Sequence, residues 1–352
     1  MNTRIKAFHQ TFEKYRLDAF LVTEESNVTY LSGYTGTESY LLITPKEKYF
    51  LTDFRYLEQA EKELTGFEIV LRTNQSYPAM IYELCRKAGV MRMGFESNRI
   101  SYQLYSMLSR TLKNIFPVPV PNSIEGLRIC KSADEIKQLK SSATIAMQGV
   151  RFLQAQLEPG QKEIDIQAKL EYDTKLLGSE KPAFDMIVAA GPGSSMPHAI
   201  SGQRKVLQND MVLVDMGVTY KGYRSDLTRC FFIGKIPRLK KKVYDIVKKA
   251  QALGIQKAKP GVRIGDVDVA CRSFIEKAGY GKYFGHSTGH GVGLEVHEAP
   301  GVYAKNDDIL KPGMIITVEP GIYLPDQFGV RIEDMVRITS SGNEVLTGDL
   351  EK

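Results

Sequence analysis

The alternation of apolar and polar positions divides the chain into two stretches of mixed helix and strand. In the first, helical spacing over 5–15 leads to a strand-like run at 19–23, a helical turn at 28–32 closed by Gly33, and strands at 40–44 and 48–52. Helices near 56–63, 78–88 and 102–113 then alternate with strands near 67–71, 92–95 and 117–120, the pattern of a small α/β domain. No carboxylates or histidines cluster there, and His9 stands alone on a surface-type helix, so this half is assigned no chemistry. The run PVPVPNSIEGLR at 117–128 cannot continue a helix and reads as an extended connection. It places the first domain at 1–122 and the second at 123–352.

In the second stretch, Ser132 and Glu135 form a capping box ahead of the apolar positions Ile136, Leu139, Val150 and Leu153, which predicts a long helix. A helix over 163–177 stops at Gly178, and strand-like residues 183–190 run into the loop GPGSSMPH, which carries His198. Helices over 240–257 and 266–278 are stopped by Pro260 and Gly279. The order helix, helix, hairpin, helix, helix, strands suggests two similar halves.

The hairpin, MVLVDMGVTYKGYRSDLTR at 211–229, breaks the apolar pattern. Asp215 interrupts a run rich in β-branched residues, an expensive place for a lone charge. A turn closing at Tyr220 and Lys221 makes Asp215 and Asp226 cross-strand partners. Two like charges side by side need a shared proton, a basic partner such as Arg224 or Arg229, or a bound metal.

Other polar groups point the same way. The segment GHSTGHGVGLEVHEAPG at 285–301 holds three of the five histidines. The zinc-protease motif HExxH fails there, because residue 301 is Gly and Pro300 would interrupt the helix. Neither a phosphate loop nor the dinucleotide fingerprint matches the glycines. What glycine supplies is close backbone approach, letting an irregular strand present His290 and His297. Glu319 ends the apolar strand MIITVE, and Glu333 lies in GVRIEDMVRI, so four carboxylates sit on otherwise apolar strands. Oxygen ligands with one imidazole and no thiolate suit two divalent ions of the manganese, cobalt or zinc kind. Such a pair, about 3.5–4 Å apart, activates water toward a carbonyl or phosphoryl group, so the expected chemistry is hydrolysis.

Composition adds limits. At 352 residues the chain is long for one compact domain. Its net charge of +6 is spread along the sequence, and the densest basic run, 238–242, opens a helix as a solvated face rather than a nucleic-acid site. Four cysteines without a CxxC pair read as reduced, mostly buried thiols of a cytoplasmic protein. The first residues lack the apolar core of a signal peptide, and no run is long enough to span a membrane. Neither nucleic acid nor membrane is expected as a partner.

The strings VDMGVTYKGYRSDLTR, HSTGHGVGLEVHE, TVEPGIY and GVRIEDMV resemble those of the pita-bread metallopeptidases, the family of methionine aminopeptidase, aminopeptidase P and prolidase. YLSGYTG and LTDFRY resemble the creatinase-type domain that precedes the catalytic domain in the latter two. The resemblance implies an α/β (α+β) protein, with a pita-bread catalytic domain after a smaller creatinase-type domain. It implies that Asp215 and Asp226 bind one ion and His290 the other, and that Glu319 and Glu333 complete the shell, Asp226 and Glu333 bridging. It also gives His198 and His297 contacts to substrate and tetrahedral intermediate, Glu319 a proton-shuttling part, and Tyr323 and Arg331 supporting parts. Phe184, Ile187 and His286 align with positions lining the proline pocket, with plain core packing as the alternative for the two apolar residues. Manganese is the first expected metal, cobalt and zinc the others, and a homodimer the expected assembly.

Two positions depart from the family pattern. Cys230 replaces the usual Thr after TR, a packing variant. Gly301 stands where many prolidases carry an arginine that would hold the free carboxylate of a dipeptide. Burying that carboxylate without a cation is costly, which favours longer peptides and a Xaa-Pro aminopeptidase of the aminopeptidase P type. The alternative is a Xaa-Pro dipeptidase, prolidase. A non-catalytic pita-bread binding protein is more remote, since such relatives miss ligands that are all present here.

Overall fold

The structure, a computed structural model, describes residues 3–352 and divides into two compact units that meet at Arg128 and Ile129. The boundary falls after residue 122 because the next short helix belongs, through its polar contacts, to the first unit. Glu125 accepts from Asn27 and Arg99 at 3.2 and 3.1 Å, and Arg128 donates to Ser26 and Asn27 at 2.9 and 2.8 Å.

The first unit contains helices α1 (Thr3–Tyr15), α2 (Glu25–Ser32), α3 (Leu57–Glu63), α4 (Tyr77–Lys87), α5 (Tyr102–Thr111) and α6 (Glu125–Arg128). Its strands β1 (Ala19–Val22), β2 (Tyr40–Ile43), β3 (Lys48–Thr52), β4 (Glu68–Leu71), β5 (Arg92–Glu96) and β6 (Phe116–Val120) form one sheet in the order β4-β3-β2-β1-β5-β6. Only β2 runs against its neighbours. On α1 the buried residues Ile5, Phe8 and Phe12 follow helical spacing, and Phe8 meets Phe20 edge to face at 5.0 Å.

The second unit opens with α7 (Ala133–Gln156), whose N-terminus carries the expected capping box of Ser132 and Glu135, and α8 (Glu163–Leu176). Of the predicted strand at 183–190 only the second half is one, β8 (Ile187–Ala190), and a separate two-residue strand, β7 (Lys181–Pro182), precedes it. The hairpin comprises β9 (Met211–Met216), β10 (Val218–Tyr220), β11 (Tyr223–Arg224) and β12 (Leu227–Phe232). After α9 (Arg238–Lys257) and α10 (Ile264–Lys277) come β13 (Gly289–Gly291), β14 (Glu298–Val302), β15 (Ile315–Val318), β16 (Gly321–Leu324), β17 (Phe328–Arg331), β18 (Asp334–Ile338) and β19 (Asn343–Val345).

The strands pair as β12-β9-β8, β11-β10-β7, β14-β13-β15-β18-β19 and β16-β17. Strands β8 and β9 lie between two cores. Val188, Val212, Val214 and Met216 pack in the core that includes α7 and α8, whereas Ile187, Ala189, Met211 and Leu213 pack in the core of α9 and α10. Burial on both faces explains the nearly continuous apolar run, and alternation puts Asp215 on the face of Met211 and Leu213. Three cysteines are buried, but Cys130 is exposed. No helix among the described residues is long and apolar enough to cross a membrane.

Candidate metal centre

The hairpin turn differs in register from the expectation. Tyr220 pairs with Tyr223, so the turn is Lys221–Gly222, both left-handed with φ of 48° and 77°. A two-residue turn of that kind wants glycine at its second place, and Gly222 supplies it. Asp215 consequently faces Thr228 rather than Asp226. A shift of two residues leaves every side chain on its face, so Asp226 stays beside Asp215 as a diagonal neighbour.

His290 is the middle residue of β13, between two glycines with no room for a side chain. A Cβ on Gly289 would stand 2.0 Å from the Thr317 carbonyl oxygen, and one on Gly291 2.3 Å from that of Ala299. The His290 Nδ1 lies 3.0 Å from the Gly291 carbonyl oxygen and so carries the ring proton, leaving Nε2 to face Glu319 at 3.2 Å and Asp226 at 3.6 Å. Glu319 follows β15, where the Thr317 hydroxyl donates to it at 3.0 Å and accepts from the His290 amide at 3.1 Å. Glu333, between β17 and β18, accepts from the Thr228 hydroxyl at 2.7 Å.

Asp215, Asp226, His290, Glu319 and Glu333 line one cavity of about 580 Å³, together with His198, His297, Phe184, Ile187, His286, Tyr323 and Arg331. Four of the five histidines are therefore in one place. The rings of His290 and His297 lie 4.3 Å apart. Neither Arg224 nor Arg229 is the basic partner of the aspartates: Arg224 donates to the Ala183 carbonyl and Arg229 pairs with Asp334 at 2.8 Å. Arg331 takes that place, reaching Asp215 Oδ2 at 2.5 Å, Tyr323 at 2.8 Å and Thr228 at 3.1 Å.

One cation does not neutralise this cluster. Burial and the neighbouring carboxylates push Asp226 and Glu333 well above the usual carboxylate range, and burial raises Asp215 despite Arg331. Burial would raise Glu319 too, but without metal a protonated His290, itself raised by Glu319, outweighs burial and holds Glu319 low; the neutral ring turns its free Nε2 to the cavity. Asp215 Oδ1 is buried with no hydrogen-bond partner among the described residues. Single donor atoms of Asp226, His290 and Glu333 lie within 4.8 Å of one another. Crowded oxygen donors, an orphaned carboxylate oxygen and an imidazole with its free nitrogen turned inward are what a hard or borderline divalent cation requires.

Sequence reasoning missed Thr228 and Thr317, each two residues from a carboxylate on the same strand face; the period-two rule was the available signal. It also missed the buried pair of Lys131 and Glu298, 2.8 Å apart beside His297. Cys230 keeps a hydrogen bond where the family pattern has Thr, its thiol donating to the Arg331 carbonyl at 3.4 Å.

Residues 137–340 match metallopeptidase family M24, and residues 4–130 match the creatinase/prolidase N-terminal domain. The chain belongs to metallopeptidase family M24. This metallopeptidase has the pita-bread architecture behind a creatinase-type α/β unit. It is 36% identical to a Xaa-Pro dipeptidase of Pyrococcus horikoshii, over 99% of this chain and 97% of the relative. A solved Xaa-Pro dipeptidase from Bacillus anthracis superposes with a TM-score of 0.94 at 39% identity, covering 98% of this chain and 97% of that one. A solved X-Pro aminopeptidase from Thermotoga maritima gives 0.89 at 34% identity, covering 96% and 97%.

Proposed function

We propose that this metallopeptidase is a Xaa-Pro dipeptidase that uses two divalent ions. The observation carrying the reading is the convergence of four carboxylates and His290 in one cavity of a chain whose full-length relatives include Xaa-Pro dipeptidases. Asp215 and Asp226 would hold one ion and His290 the other, with Glu319 completing the shell and Asp226 and Glu333 bridging; manganese, cobalt and zinc all accept these ligands. Bound there, the ions supply Lewis acidity toward the scissile carbonyl and lower the pKa of water.

The chain's own residues do the rest. Glu319, one oxygen of which is fixed by the Thr317 hydroxyl, takes a proton at a carboxylate oxygen and passes it to the proline nitrogen, which needs it to leave. His198 and His297 offer ring N–H groups to the carbonyl oxygen as it gains charge. Arg331 fixes Asp215 and the Tyr323 hydroxyl together. Phe184, Ile187 and His286 border the substrate, the two apolar residues excluding water from it.

The longer-peptide reading rested on Gly301, which does line the cavity without offering a cation. The relatives favour the dipeptidase over it. His286 and His290 give their ring protons to the Ser287 and Gly291 carbonyls, but His198 and His297 can donate to a dipeptide carboxylate, so the missing arginine need not exclude one. Gly301 and the Thermotoga relative keep Xaa-Pro aminopeptidase as the second reading. Specificity constants for a Xaa-Pro dipeptide and the matching Xaa-Pro-Xaa tripeptide decide between them. A higher value for the dipeptide supports the proposal, and a higher value for the tripeptide replaces it with the second reading.

A further inference from the structure

The last five residues before β13, 284–288, carry His286 into the cavity without belonging to any helix or strand. A loop at a binding site has to be held by something other than ladder hydrogen bonds. Here the holder is one face of α10. Asp268 is fully buried, and a buried carboxylate needs every partner it can reach. The Arg272 guanidinium grips both its oxygens with one edge, Nε at 2.9 Å and Nη2 at 2.8 Å, and the Thr288 hydroxyl donates to it at 2.7 Å. Arg272 then spends its remaining donors on the loop backbone, reaching the carbonyl oxygens of Phe284 at 3.0 Å and His286 at 2.8 Å, while its plane covers the Phe284 ring at 4.3 Å.

The grip reaches the site through His286. Thr288 itself is anchored by backbone bonds that do not involve Arg272, its carbonyl accepting from the Glu319 amide at 2.8 Å and its amide donating to the Val302 carbonyl at 2.9 Å. His286 Nδ1 lies 2.7 Å from the Ser287 carbonyl oxygen and must carry the ring proton there. Its Nε2 is then an acceptor for the Tyr323 hydroxyl at 3.0 Å. Tyr323 accepts in turn from Arg331, whose other nitrogen holds Asp215.

We propose that Arg272 and Asp268 form a positioning clamp for this reaction: they fix the 284–288 loop so that His286 meets substrate and Tyr323 in one orientation. The clamp touches no substrate and acts through His286. The inference rests on the reading that His286 borders the peptide. Holding both oxygens of a carboxylate and two carbonyls takes four donors in a fixed fork, one more than an ammonium has, so lysine at 272 is no substitute.

The test uses the metal-loaded full chain as wild type, Arg272→Met, His286→Ala and the double variant, with Xaa-Pro dipeptide kinetics and NMR of 13C-labelled histidine. Zinc loading keeps the signals free of paramagnetic broadening. Arg272→Met should raise KM about tenfold with kcat changed about twofold or less, and should change neither further in the His286→Ala background. The ring signal lost in His286→Ala should move in Arg272→Met while that of His9 stays in place. Equal KM changes in both backgrounds, or an unmoved His286 signal, overturn the clamp. If the wild type cleaves no Xaa-Pro substrate, the proposed activity falls and the NMR comparison still decides the clamp. Should Arg272→Met not fold, Thr288→Val removes one contact to Asp268 at nearly constant shape and is judged by the same readouts.

Discussion

Asp226 and Glu333 are buried near each other, and burial with neighbouring carboxylates disfavours the charge of both. In metal-free protein the folded state therefore keeps a proton on Asp226 that the unfolded chain has released. This residue's contribution to stability must fall as the pH rises above about 4, where the unfolded chain's aspartate ionises and the buried one does not. Asparagine does not titrate, so chelator-treated Asp226→Asn should match the wild type at the acid end and exceed it at the alkaline end, as read by denaturant unfolding. Metal reverses the order, since a tight ligand at a hundredfold excess over its Kd adds about 2.7 kcal/mol to the protein that binds it. Glu319→Gln separates chemistry from fold: kcat should drop about 100-fold or more while the unfolding midpoint is kept. Near-normal turnover with metal content unchanged would remove Glu319 from the mechanism. Asp215, Glu319 and Glu333 are legible in the sequence because each is a charge beside β-branched residues, and Asp226 because the hairpin brings it to Asp215. Thr228 and Thr317 are not, because threonine is at home in any strand and only its two-residue spacing from Asp226 or Glu319 marks it.

Among the elements, the pairing of hairpin and C-terminal strands decides whether the ligands meet. Arg229 on β12 is buried at 1% exposure and donates to the Glu333 carbonyl at 2.6 Å, to Asp334 at 2.8 Å and to the Thr347 carbonyl at 3.0 Å. It ties the strand after Asp226 to the strand that begins beside Glu333. Arg229→Met leaves the buried Asp334 carboxylate to Lys352 and removes the charged hydrogen bonds of the guanidinium, a loss of about 2–3 kcal/mol by denaturant unfolding. A loss below about 1 kcal/mol would mean that packing alone holds the two strands. The hairpin's existence is readable from its apolar run, but its register is not. Two-residue turns at 220–221 and at 221–222 both fit the pattern, and the left-handed demand at the second turn position selects Gly222. For the same reason Arg229 reads as a neighbour of the aspartates, while in the structure Arg331, distant in sequence, holds Asp215. Periodicity reports faces within one strand and is silent about which strands become neighbours.

For the whole molecule, the two-unit organisation is readable because proline-rich sequence follows a complete α/β pattern. Its boundary lies beyond the prolines because Glu125 and Arg128 bond back to Asn27, contacts that no local rule announces. Gly301 shows the opposite limit: the missing arginine is plain in the sequence, but what replaces it depends on which imidazoles the fold brings to the same cavity. Every role assigned to the metal centre presupposes metal-dependent cleavage before proline. The chain should be stripped with a chelator, reloaded with manganese, cobalt or zinc in turn, and assayed for free proline released from a Xaa-Pro dipeptide. The stripped protein should release none, and at least one metal should restore release, with an otherwise identical dipeptide lacking proline cleaved far more slowly. Full activity of the stripped protein, or no release with any of the three metals, would contradict the account.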